Sequence, residues 1–160
     1  MLEVPSEKFL KKESYICCKE NNSIITEKGI SLMNINKIHH VAIICTNYET
    51  SKKFYTEVLG LKVLSEVYRE ERQSYKLDLM VNNQYQIELF SFPNPPSRPN
   101  RPEAAGLRHL AFEVNNISEA VQELTEKGIE VEEIRIDPIT DKKFTFFQDP
   151  DGLPLELYEA

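Results

Sequence analysis

Two stretches of this chain repeat one another, and an internal repeat restricts the available folds more than any single motif. Ile38-His39-His40-Val41-Ala42 in the first half answers to Leu107-Arg108-His109-Leu110-Ala111 in the second. Gln86-Ile87-Glu88-Leu89-Phe90 likewise answers to Pro154-Leu155-Glu156-Leu157-Tyr158. The halves align with an offset of 69 at the histidines and 68 at the glutamates. Between Gly60 and Gly128 the offset is already 68, so the one-residue difference falls in the segment before these glycines.

Hydrophobic periodicity gives the repeating unit. Lys37–Cys45 is apolar and β-branched and predicts a strand. Tyr48–Leu59 places apolar residues at helical spacing and stops at Gly60. Leu61–Tyr68, Ser74–Val81 and Tyr85–Phe92 predict three more strands, with Asn82-Asn83 as a turn. The second half runs in the same order: strand Leu107–Val114, helix Ile117–Lys127 stopped by Gly128, then strands Ile129–Ile136, Lys142–Gln148 and Leu153–Tyr158. The expected fold class is therefore α+β, two tandem βαβββ modules.

The boundaries follow. Module 1 is expected over 36–92, a linker over 93–106 and module 2 over 107–160. Five prolines between Pro93 and Pro102 make the linker stiff and strandless. It serves as a spacer, or, through Arg98 and Arg101, as a loop closing over an anionic substrate. Residues 1–34 match neither module and are expected to be a flexible extension or one peripheral helix around Ser6–Cys18. A sharper expectation is a start at Met33, because Glu27-Lys28-Gly29 requires a purine-rich codon run at a suitable distance upstream.

Bulk properties exclude several classes. At 160 residues the chain makes one domain, or two small ones sharing a core. A net charge of −7 with no basic stripe argues against nucleic acid as a partner. The longest apolar runs are strand-sized, so no membrane span is expected. No long apolar stretch follows the N-terminal lysines, which predicts no secretory signal. Three cysteines without a CxxC pair fit a reduced, cytoplasmic protein.

Strand alternation then isolates a site. On the last strand Leu153, Leu155 and Leu157 share one face and leave Glu156 on the other. By the same rule Tyr85, Ile87 and Leu89 oppose Gln86, Glu88 and Phe90. Each glutamate lies among apolar neighbours and needs a cation or a hydrogen-bond partner. The repeat selects His40 over His39, since His40-Val41-Ala42 pairs with His109-Leu110-Ala111. His39 is then an outward or core-facing neighbour. His40, Glu88, His109 and Glu156 together predict a metal site of two imidazoles and two carboxylates. That donor set suits Ni, Zn, Fe, Mn or Co better than Ca or Mg. Phe90, Phe92, Tyr75 and Phe147 are candidates for either the cavity wall or the core.

These motifs carry a family resemblance. The duplicated βαβββ unit, Phe54-Tyr55-x-x-Val58-Leu59-Gly60-Leu61, Leu107-Arg108-His109-Leu110-Ala111-Phe112 and Asp149-Pro150-Asp151-Gly152-x-x-x-Glu156-Leu157 resemble the vicinal oxygen chelate superfamily over residues 36–160. Glyoxalase I, extradiol dioxygenases, thiol transferases and methylmalonyl-CoA epimerase belong to it, and the chain is most similar to small bacterial glyoxalase I-like proteins. The resemblance implies sheets curled around a divalent metal held by His40, Glu88, His109 and Glu156. It implies a homodimer in which His40 and Glu88 of one chain meet His109 and Glu156 of the other. It also implies a small-molecule substrate with vicinal oxygens and lyase or isomerase chemistry through a stabilised enediolate. Glu156 is then the preferred base and Glu88 its counterpart.

Glutathione-using relatives carry an arginine where this chain has Ile44 and an asparagine where it has Phe92. Glutathione as a co-substrate is therefore not expected. The competing readings are an extradiol-type dioxygenase, a thiol transferase, and a metal-free protein that sequesters a drug or metabolite.

Overall fold

The structure is a computed structural model in which residues 33–160 are described; the fold below is that of the compact unit Lys37–Ala160. The expected helix around Ser6–Cys18 and the Cys17-Cys18 pair lie outside the described residues.

Eight strands form two four-stranded mixed sheets, one per half of the chain. In the first, β1 (Val41–Cys45) runs parallel to β4 (Gln84–Ser91). Antiparallel pairing then adds β3 (Ser74–Val81) and β2 (Lys62–Arg69), in the order β1-β4-β3-β2. The second sheet repeats this as β5 (Leu110–Val114), β8 (Pro154–Glu159), β7 (Lys143–Gln148) and β6 (Arg135–Ile136). The α+β duplication expected from the sequence is the observed fold.

Alternation buries one face of each sheet. Ile43, Cys45, Leu77, Leu79, Ile87 and Leu89 turn inward in the first sheet, and Phe147, Leu155 and Leu157 in the second. Removing one such side chain, as in Leu89→Ala, costs about 2–5 kcal/mol by the usual transfer and cavity terms. Phe147 is thus core, and Tyr75 stacks on buried Tyr48 with ring centroids 4.3 Å apart.

Both halves begin their helix with an asparagine cap at repeat-related positions. The Asn47 side chain accepts from Thr50 N at 3.1 Å, and Asn116 accepts from Ser118 N at 3.0 Å. The helices then diverge. In module 2, α2 (Ile117–Glu126) is regular. In module 1, α1 (Tyr48–Lys53) opens into a π-helical turn over Phe54–Val58, where Leu59 N donates to Phe54 O at 3.0 Å. A π turn holds one more residue than an α turn, and this is where the one-residue difference between the halves resides. Both helices end on a glycine with positive φ, +70° at Gly60 and +78° at Gly128.

The wide turn also serves the packing of one half on the other. Tyr55, fully buried within it, donates its hydroxyl to Asp149 of the β7–β8 turn at 2.9 Å. Asp149 further accepts from Leu153 N at 2.8 Å and Asp151 N at 2.9 Å, so its carboxyl group is fully engaged.

Three expected strands are shorter in the structure. The expected strand from Lys37 begins at Val41, because the parallel ladder to β4 starts at Val41↔Ile87, beside an irregularity in β4. The strand expected from Leu107 begins at Leu110, opposite Leu155; the preceding Pro154 has no N–H to offer. Ile129–Ile136 retains only Arg135–Ile136 as strand; before it, Glu132 meets β7 irregularly, its N donating to Phe146 O at 2.8 Å and its carbonyl accepting from Thr145 Oγ1 at 2.7 Å.

Candidate metal centre

The two parallel ladders place the predicted residues in matching registers. Ala42 lies opposite Glu88 and Ala111 opposite Glu156. The histidine two residues before each alanine therefore stands just off the end of its edge strand, beside the glutamate. His40 Nε2 lies 3.4 Å from Glu88 Oε2, and His109 Nε2 lies 3.0 Å from Glu156 Oε2. The small alanine side chain leaves this corner of the sheet open.

The four residues form two pairs and do not converge on one point within the chain. Among the described residues no group of three or more His, Cys, Asp or Glu side chains is placed to hold one ion. Each pair by itself fits half of a metal site. Two donors about 2.1 Å from a common ion stand about 3.0 Å apart at a right angle and about 3.4 Å at a tetrahedral one. Both observed separations, 3.4 and 3.0 Å, fall at those values. An imidazole nitrogen with a carboxylate oxygen is also the donor chemistry that first-row divalent ions accept.

The surroundings of the pairs differ. Around Glu88, Lys76 Nζ lies 2.8 Å from Oε1 and is also ion-paired to Asp78, which sits directly across from Glu88 in the sheet. The Tyr85 hydroxyl donates to Glu88 Oε1. Burial pushes the Glu88 carboxyl up, but Lys76, Tyr85 and His40 outweigh it and hold it below the usual carboxylate range. Asp78 is held low by the same ammonium, against its own burial. Burial and the neighbouring carboxylates raise the Tyr85 phenol to about 12, so it stays a donor.

His39 contacts the site. One of the Nδ1 atoms of His39 and His40 donates to the other at 2.8 Å, and the His39 ring meets Tyr85 edge-on at 5.2 Å. A partner on the far ring nitrogen fixes the orientation and tautomer of a metal-binding histidine.

Around Glu156 the wall is aromatic. Phe146 lies opposite Glu156 in the sheet and meets the His109 ring edge-on at 5.2 Å, and Phe144 follows on the same face. These phenylalanines occupy the places that Lys76 and Asp78 hold in the first half. The Arg135 guanidinium lies 5.0 Å and 5.3 Å from the two ring centroids. His109 Nδ1 is buried without a hydrogen-bond partner.

Alternation misplaced Tyr85. The sequence pattern sets it on the face of Ile87 and Leu89, yet its hydroxyl reaches Glu88. The ladder slips between Leu79↔Ile87 and Met80↔Tyr85, leaving Gln86 as an extra, exposed residue. A bulge of this kind turns the strand over, and nothing in the local sequence marks it. The charged stretch Arg69–Arg72 closes the β2–β3 hairpin, and Arg69 lies over Phe90 at 4.8 Å and Phe92 at 5.7 Å. Ile44 is exposed, and the Phe92 ring stacks on Phe90 with centroids 6.1 Å apart, so neither position offers the polar groups of a glutathione clamp.

Residues 37–157 match the Glyoxalase/Bleomycin resistance protein/Dioxygenase superfamily. The chain belongs to that superfamily. It is 67% identical over 127 residues to the uncharacterized protein YwkD of Bacillus subtilis, covering 79% of this chain and 99% of YwkD. It is 59% identical over 128 residues to the uncharacterized protein YaeR of Escherichia coli, covering 80% and 99%. Among solved structures, a glyoxalase family protein from Enterococcus faecalis superposes with a TM-score of 0.73 at 52% identity, over 79% of this chain and all of the other. Members of the superfamily include glyoxalase, epimerase and dioxygenase types and commonly use divalent metals. No helix of the described residues is long and apolar enough to cross a membrane.

Proposed function

We propose that the chain is a divalent-metal-dependent, glyoxalase I-like lyase or isomerase, acting in the cytoplasm on a small substrate with two neighbouring oxygens. We propose also that residues 36–160 form its working unit, with His40 and Glu88 of one copy and His109 and Glu156 of a second as the metal ligands. One observation supports this above all: two His–Glu pairs in the same register, each with the separation of two ligands on one ion. Both pairs stand at edge strands, β1 and β5, which have no second neighbour in either sheet. A two-fold pairing of chains sets one edge against the other and makes two complete sites. Exposed Ile44 on β1 and Leu107 just before β5 are apolar surface that such a pairing would cover.

When bound, the ion supplies Lewis acidity toward negative charge that develops on the two substrate oxygens. The protein's own residues handle the proton. Glu156, buried against Phe146 and with no ammonium on it, takes a proton from the carbon beside one oxygen and returns it to the neighbouring carbon. Glu88, fixed by Lys76 and Tyr85, remains an oriented carboxylate. The aromatic wall of Phe144 and Phe146 keeps water from the proton in transit.

Mixing two defective variants tests the shared site. A His40→Ala/Glu88→Ala variant and a His109→Ala/Glu156→Ala variant are each expected to lose tight metal. After unfolding and refolding together they should regain about a quarter of the wild-type sites, because only mixed dimers hold one intact site. Metal analysis of the dimer fraction reads this, followed by assays with hemithioacetals, catechols and acyl-CoA thioesters. Full metal binding by either variant alone would overturn the assignment.

A further inference from the structure

Beside His109 lies a cavity of about 230 Å³. Its lining includes Arg98, Arg101, Arg108 and Arg135, with Glu103 and Glu132 as the acidic residues. That is an excess of two positive charges at one spot, on a protein whose net charge is −7. The four arginines are not equivalent. Arg98 is committed to the backbone, donating to the carbonyls of Leu107 and Arg108 and, at 2.9 Å, to Asn100 Oδ1. Arg101 makes only a loose, fully exposed pair with Glu103 at 3.3 Å. The Arg108 side chain has no hydrogen-bond or ion-pair partner among the described residues, its backbone carbonyl alone accepting from Arg98.

Arg135 is the most constrained of the four relative to the candidate centre. Its guanidinium lies over Phe146, 5.3 Å from the ring centroid, and that same ring packs on the His109 imidazole. Glu132 holds it from one side at 2.9 Å. A guanidinium on an aromatic face keeps its edge donors free for a planar or tetrahedral oxyanion. Arg135 is thus set one aromatic ring away from a proposed metal ligand, and Arg108 adjoins that ligand in sequence.

We propose that the substrate carries an oxyanion, a phosphate ester or second carboxylate, beside its vicinal oxygens, and that Arg135 and Arg108 bind this group. The inference rests on the reading of His109 as a metal ligand, and it narrows the substrate to small anionic compounds. It also accounts for the missing glutathione clamp. The charge that recognises the substrate has moved from β1, where Ile44 now stands, to the rim of the second half-site.

Three probes that share a 2-hydroxycarboxylate separate the terms: glycerate, malate and 3-phosphoglycerate. They are titrated calorimetrically into the metal-loaded full chain and into the same chain after chelation. Malate or 3-phosphoglycerate should bind at least about tenfold more tightly than glycerate, the scale of one charge-assisted contact. Whichever of the two gains more identifies carboxylate or phosphate as the oxyanion. Arg135→Met with Arg108→Gln should erase the preference while leaving metal content unchanged. Arg135→Lys should recover part of it, which a loss through misfolding would not. Equal binding of all three probes, no measurable binding of malate or 3-phosphoglycerate, or a preference that survives both substitutions overturns the inference. Stoichiometric metal without a charge preference would sink this inference alone. An arginine-dependent preference in a chain that holds no metal would keep only the anion-binding roles of Arg135 and Arg108 and would sink the metal reading together with the vicinal-oxygen part of the proposal.

Discussion

The two His–Glu pairs share their geometry and almost nothing of their surroundings. Glu88 is surrounded by Lys76, Asp78 and Tyr85, a polar group in which each charge is answered. Glu156 faces Phe146 and Phe144 in the same sheet positions, with arginine one layer further out. Duplication supplied two equal pairs, and divergence of neighbours made one a fixed anion and the other a carboxylate in an apolar wall. The equivalence of the pairs therefore does not carry over to equivalence of their surroundings.

Replacing each glutamate tests that division most severely. Glu156→Gln should lower kcat on the best substrate of the assay panel by about 10²–10⁴, the range for loss of a general base, with much of the metal retained. Glu88→Gln should cost turnover far less for the same loss of charge. Equal losses would mean that the neighbours do not assign the base.

His39→Ala comes next. His40 has a hydrogen-bonded partner in His39, whereas His109 Nδ1 has none. Removing the partner should weaken metal affinity by about 10–100-fold, measured by competition with a chelator. An unchanged affinity would show that the His39–His40 contact does not orient the ligand.

The smallest effect is on stability. Lys76→Met leaves Asp78 and Glu88 facing each other without their cation and should cost about 1–3 kcal/mol at pH 7 in urea unfolding. Both carboxyls are held low in the folded state, so this contribution is fully present above their unfolded values near about 4. It is lost as pH falls through the folded values. The gap between wild type and variant should therefore close in acid. A gap that stays constant with pH would mean that Lys76 contributes packing only.

The sequence revealed the parts of this molecule that obey a period. The repeat, the β-α-β-β-β order and the His–Glu pairs follow from alternation and spacing, and the asparagine caps and stop glycines fall at repeat-related positions. The features it concealed are departures from a period. Tyr85 reaches the site because a bulge at Gln86 reverses the strand, and a bulge leaves no compositional trace. Beside the short β6, Glu132 is held by a side-chain hydroxyl as well as by the backbone of β7, which alternation does not encode. The arrangement of the four predicted residues as two separate pairs depends on how one half packs on the other, a packing that includes the Tyr55–Asp149 contact from 94 residues apart. Arg135 lies in an otherwise charged, irregular stretch, and only the fold sets it over Phe146.

The wide turn at Phe54–Val58 bears on how such a duplicated protein can change over time. One additional residue is accommodated entirely inside the first helix, so Ala42 still faces Glu88 as Ala111 faces Glu156. Chain length and site geometry are thereby uncoupled. One extra residue at that turn leaves both His–Glu registers matched, whereas one between Gly60 and Glu88 would fall on the strands whose ladder places Glu88. The helix acts as the slack in the gene, and the ladder register is the quantity that selection has to hold constant.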